Sequence, residues 1–145
     1  YQGEKVTKNT GLNEGITELL TSIITGEYTG SYAPFVVISY LFMSSNNYLL
    51  NAYFMKDISG MEKFYKDVEE KQTLITKDDF TTLSSKCTDT KKLSKIISAG
   101  LEYNKSYERE ISNSELDFFM DYLDNNFMLD SGSWRDMIFE PSITC

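Results

Sequence analysis

Apolar residues recur along this chain at helical rather than strand spacing. Leu12, Ile16, Leu19, Leu20, Ile23 and Ile24 follow the i, i+4, i+7, i+8 pattern of an amphipathic helix, and Gly26 is placed to end it. Pro34 suits the first position of a second helix. From Phe35 to Met43 nearly every residue is apolar, the mark of an element buried on all sides. The β-branched run Val36-Val37-Ile38 would suit a strand, but no partner strand lies nearby, so the segment reads as a helix. Ser44 to Asn47 breaks the run, and a short apolar helix is predicted from Tyr48 to Met55.

Cap chemistry sets the later boundaries. Ser59-Gly60-Met61-Glu62 has the capping-box pattern and opens a predicted helix to about Glu70, with Met61, Phe64, Tyr65 and Val68 on one face. Thr76 precedes Asp78 and Asp79, carboxylates that suit the positive end of a helix, and this helix is expected to reach Cys87. Leu93, Ile96, Ile97, Gly100 and Leu101 form another stripe. Ser112-Asn113-Ser114-Glu115 repeats the capping box ahead of Leu116, Phe119, Met120 and Leu123. Beyond Asp130, Gly132 and Pro141 act as breakers, with Trp134, Met137, Ile138 and Phe139 available to dock on a core. The expectation is all-α: a compact bundle of six or seven helices over residues 11–130, with a polar arm at 1–10 and an irregular tail at 131–145.

With 145 residues, 41% of them hydrophobic, the chain is long enough to bury one core. Its net charge of −8 opposes binding to nucleic acid or to an anionic membrane, both of which need Lys and Arg. The longest apolar run falls well short of the ~20 residues of a spanning helix, so no membrane span is expected. Cys87 and Cys145 have neither the number of a disulfide framework nor metal-ligand spacing; two free thiols are the first expectation, and a bridge between them is the alternative. A start at Tyr1 rather than Met predicts an N-terminus made by cleavage, cloning or processing.

The candidate chemistry lies in Gly11-Leu12-Asn13-Glu14-Gly15-Ile16-Thr17-Glu18. On a helical wheel starting at Leu12, Glu14 and Glu18 fall near about 200° and 240°, opposite the apolar stripe. Spacing alone favours a solvated acidic face near a helix start, where the dipole offsets part of the repulsion between like charges.

The same residues resemble a motif. Asn13-Glu14-Gly15-Ile16-Thr17-Glu18 is similar to the second zinc-site helix of gluzincin metallopeptidases, the thermolysin-like and aminopeptidase-like clan. In that family an HExxH helix supplies two histidine ligands and a general base, and a later helix supplies a glutamate. The resemblance implies that Glu14 is the zinc ligand and that Glu18 is the carboxylate orienting a ligand histidine, with Asn13 and Thr17 in local hydrogen-bonding roles. More weakly, the segments from Ser31-Tyr32 through Leu49-Leu50-Asn51-Ala52-Tyr53-Phe54 to Phe64 look like the C-terminal helical region of zinc peptidases from low-GC Gram-positive bacteria. That likeness covers roughly residues 11–68; it leaves the compartment open, an extracytoplasmic or cell-surface setting being one that is compatible with it.

The chain contains no histidine. It therefore lacks HExxH, two of the three protein ligands and the general base, and histidine-dependent serine or cysteine catalysis is excluded as well. Asp121, Asp124 and Asp130 lack the spacing and central glycine of a calcium loop. Two expectations follow. In one, the chain is the C-terminal helical part of a metallopeptidase whose HExxH segment lies upstream and whose substrate is a peptide; zinc there would activate a water, and none is expected in this chain alone. In the other, it is a non-catalytic interaction module or a degenerate peptidase relative, whose tyrosines, among them Tyr28, Tyr32, Tyr40, Tyr48 and Tyr53, serve mainly the core.

Overall fold

Residues 33–43 have almost no polar side chain to offer to water, and the computed structural model places them at the centre of the molecule. The structure describes residues 10–27, 32–55, 58–83, 87–127, 129 and 132–139. Among these there are eight helices and no strand: α1 (Thr10–Thr25), α2 (Ala33–Met43), α3 (Tyr48–Met55), α4 (Ile58–Lys71), α5 (Lys77–Thr81), α6 (Thr90–Ser106), α7 (Asn113–Asn126) and α8 (Trp134–Phe139). The chain is thus all-α. In α2 only Tyr40 and Met43 are partly exposed, and α1, α3, α6 and α7 all pack on it.

Two glycines let α2 be surrounded so closely. A Cβ on Gly15 of α1 would lie 2.6 Å from the Phe35 carbonyl carbon, closer still to its oxygen, and 2.8 Å from Ser39 Oγ. A Cβ on Gly100 of α6 would lie 2.9 Å from Leu41 Cβ. Small residues at such crossings bring backbones into contact. Beyond α2 the core is aromatic: Phe42 sits 5.1 Å from the rings of both Phe80 and Tyr103, and Phe64 packs edge-on at 6.0 Å.

The helix ends follow their cap residues. Gly26 takes a φ of +76°, and its N–H donates to Ser22 O, closing α1 as expected. Ser112 and Glu115 make the reciprocal capping box of α7, and Thr76 and Asp79 make one for α5. At the end of α6, Glu108 donates to Lys105 O and Arg109 to Asn104 O, a Schellman closure that puts the non-glycine Glu108 at a φ of +58°. Glu108→Gly is therefore expected to raise unfolding free energy by about 0.5–1 kcal/mol, read as a higher urea midpoint.

Several boundaries differ from the sequence expectation. Helix α4 begins at Ile58, so Ser59 lies inside its first turn rather than at its N-cap. Helix α5 stops at Thr81, not near Cys87, because Phe80 and Leu83 are both drawn into the core and the chain turns between them. Cys87 is a half-buried free thiol in an irregular segment, and Cys145 lies outside the described residues. The segment expected to be irregular after residue 130 forms α8. Trp134 is fully buried there: its indole N–H donates to Phe127 O at 2.7 Å and its backbone N–H to Asp124 Oδ1 at 3.0 Å. The buried indole with its donor satisfied, together with buried Ile138 and the Arg135–Asp117 ion pair, anchors this helix of six residues. Most of the arm at 1–10, Tyr28, Gly30, Ser31, Asp130 and Pro141 lie outside the described residues.

Ile23 and Ile24 also depart from the expected stripe, at 62% and 84% exposed. The Tyr32 N–H, where α2 begins, donates to Glu18. Helix α2 thus starts alongside the middle of α1, and the last turns of α1 overhang it. The buried face of α1 is Leu12, Gly15, Ile16, Leu19 and Ser22, with Leu20 half-buried at its edge.

Candidate functional site

Glu14 and Glu18 lie on the outward side of α1 and share a groove of about 330 Å³ with Thr17, Thr21, Glu27 and Tyr32. Glu18 is partly buried, and its Oε2 accepts from Tyr32 N–H at 3.3 Å and from Tyr122 O–H of α7, also at 3.3 Å. That carboxylate ties α1 to the first turn of α2 and to α7, and its charge lies at the positive end of α2. Glu14 is exposed, and no hydrogen bond or ion pair joins it to a described residue.

The rest of the motif is occupied with architecture. Gly15 is the contact point with α2. The Thr17 hydroxyl bonds to Asn13 O at 2.8 Å and lies 2.7 Å from the Tyr53 hydroxyl of α3. The part of Asn13 that takes part is thus its backbone carbonyl. The structure brings Glu14 and Glu18 together on one face, as the spacing requires, and adds Tyr32, Tyr53 and Tyr122, which come from distant parts of the chain. Among the described residues no group of three His, Cys, Asp or Glu is placed to hold a metal ion. Zinc prefers four ligands in a tetrahedron, and two carboxylates without histidine or thiolate do not supply that set. The described residues around Glu14 do not by themselves make up a zinc centre.

Two polar networks elsewhere were not visible from spacing. Asp67 Oδ2 on α4 accepts from Tyr103 at 2.6 Å and from Tyr107 at 2.5 Å, and Asn46 Nδ2 donates to the Tyr103 oxygen at 2.6 Å. Burial first, and then the neighbouring carboxylate, push the Tyr103 phenol far above its ordinary range and Tyr107 up to about 12. Both phenols therefore remain donors at any ordinary pH. A faint signal existed, since Tyr103 and Tyr107 are four apart on one helix face; their carboxylate partner lies on another helix.

The second network centres on Glu115. Its Oε2 accepts from Tyr40 O–H at 2.7 Å and from Arg109 Nη2 at 3.2 Å, while Oε1 accepts from Ser112 N–H at 3.1 Å. The Tyr40 hydrogen bond first, then those of Ser112 and the charge of Arg109, hold this carboxyl below its ordinary pKa against a smaller opposing effect of burial. A carboxylate depressed in the folded state stabilises the fold above its unfolded pKa and loses that contribution as pH falls through the folded value. Glu115→Gln is expected to unfold more easily than the parent at neutral pH, with the two denaturation midpoints converging in strong acid. Midpoints that differ equally at every pH would contradict this.

Comparison with protein-family models, with curated proteins and with solved structures gives no match for this chain.

Proposed function

We propose that the chain is the C-terminal helical part of a zinc metallopeptidase-like protein, in which Glu14 is a zinc ligand, Glu18 orients a histidine ligand, and Asn13 supports the turn between them. The observation that carries this reading is the division of labour inside the motif. Gly15, Thr17 and Glu18 are each committed to packing or hydrogen bonding, whereas Glu14 stands exposed and without a described partner one turn from an anchored carboxylate. This arrangement supports the reading in that Glu14 is open to coordination, one turn from a carboxylate of the kind that accepts the N–H of a ligand histidine. The two histidines must come from another segment of the same protein, bearing HExxH upstream of Tyr1, and the substrate would be a peptide.

The test is direct. The gene is read upstream of Tyr1, and the longer protein is assayed for bound zinc and for peptide hydrolysis. One zinc per molecule, lost in Glu14→Gln and absent from this chain alone, is the expected result. An upstream frame without HExxH, or stoichiometric zinc on this chain alone, would end the proposal. The second reading is a non-catalytic helical module. It is favoured by the exposed Ile23 and Ile24 on the overhanging end of α1, and predicts that Glu14→Gln leaves the longer protein unchanged in metal content.

A further inference from the structure

The network around Asp67 is more than a tie between helices. A carboxylate used only to join α4 to α6 could spread its donors over both oxygens. Here Tyr103 and Tyr107 both donate to Oδ2, Asn46 approaches the same atom at 3.5 Å, and no described residue bonds to Oδ1. Asp67 lines an open pocket of about 230 Å³ with Tyr48, Lys63, Lys66 and Glu70. Lys63 and Asp67, like Lys66 and Glu70, are spaced to pair along α4, yet no ion pair links them. The two phenols hold Asp67 toward α6, and neither Lys63 nor Lys66 has an ion-pair partner among the described residues.

The geometry points to this pocket as a binding site for a small zwitterion of the α-amino-acid class, its ammonium on Asp67 Oδ1 and Glu70 and its carboxylate on Lys63 and Lys66. The pocket offers two negative and two positive groups, so a ligand carrying one sign alone leaves half of them uncompensated. Its volume is below the roughly 300–1,000 Å³ of sites for drug-sized ligands, which restricts the occupant to a small molecule. Asp67 is held in place before binding, so little ordering cost falls on it. Tyr48, 42% exposed at the rim, offers its ring to the ligand side chain. This site is independent of the Glu14 groove and of any zinc.

The experiment is a backbone-amide NMR titration of the full 145-residue chain with L-alanine, and in parallel with N-acetyl-L-alanine and L-alaninamide. Saturable shifts around Tyr48, Lys63, Asp67 and Glu70 are expected with L-alanine, and binding at least about tenfold weaker for each blocked form. Asp67→Asn, which keeps an acceptor for the phenols, should abolish those shifts. The exposed changes Lys63→Ala and Glu70→Gln, which leave the core untouched, should each weaken binding. No saturable shift with L-alanine, or equal binding of either blocked form, overturns the proposal.

Discussion

Gly15→Ala is expected to destabilise the protein by about 2–3 kcal/mol, although alanine is the better helix former by about 1 kcal/mol. The added methyl meets the Phe35 carbonyl, which is backbone and part of a helix, so only a separation of α1 from α2 relieves the contact. Separation loses packing for Leu12, Ile16 and Leu19, all buried at that interface. Gly100→Ala makes an informative companion. Its methyl meets Leu41 Cδ1 at 3.0 Å and Phe42 Cε2 at 3.2 Å, side-chain atoms that can rotate, as well as Leu41 Cβ, which cannot. Its loss should be smaller. Urea unfolding with an unchanged slope measures both; a stabilised Gly15→Ala would show that propensity outweighs the crossing.

Asn104→Ala should lower stability by about 3 kcal/mol. Asn104 is fully buried; its Nδ2 donates to Leu41 O at 2.7 Å and Gly100 O at 2.8 Å, and its Oδ1 accepts from Ser45 at 2.6 Å. The Leu41 carbonyl is one of the last four of α2, which have no partner within the helix, so Asn104 acts as its cap from another helix. Ser44 serves the preceding carbonyl, donating to Tyr40 O at 2.6 Å. Truncation leaves a cavity and a buried acceptor without a donor, and each effect costs one to a few kcal/mol. Asn104→Asp separates the two: it keeps the shape, removes the donors and turns a carboxylate toward two carbonyl oxygens. It should lose at least as much stability at neutral pH as the alanine variant. A smaller loss would place the effect in packing instead.

Much of this architecture was legible from local chemistry. The apolar run of α2, the Gly26 stop, the break at Ser44–Asn47 and the capping box at Ser112–Glu115 each depend on neighbours within a few residues. Three boundaries were not. Ser59 has the pattern of a cap but lies inside a helix; the helix expected to reach Cys87 ends at Thr81, where Phe80 and Leu83 enter the core; and the tail forms α8, which packs on α6. The last two were settled by contacts with another part of the chain.

The candidate site divides in the same way. By itself, the sequence determined that Glu14 and Glu18 share one helix face, because a period of 3.6 residues leaves no alternative, and that no histidine accompanies them. Packing settled that Gly15 is a helix crossing, that Glu18 is held by Tyr32 and Tyr122, and that no described residue engages Glu14. Those outcomes depend on where α2 and α7 pass α1, and that is fixed by the simultaneous packing of all the apolar faces, which no local pattern encodes.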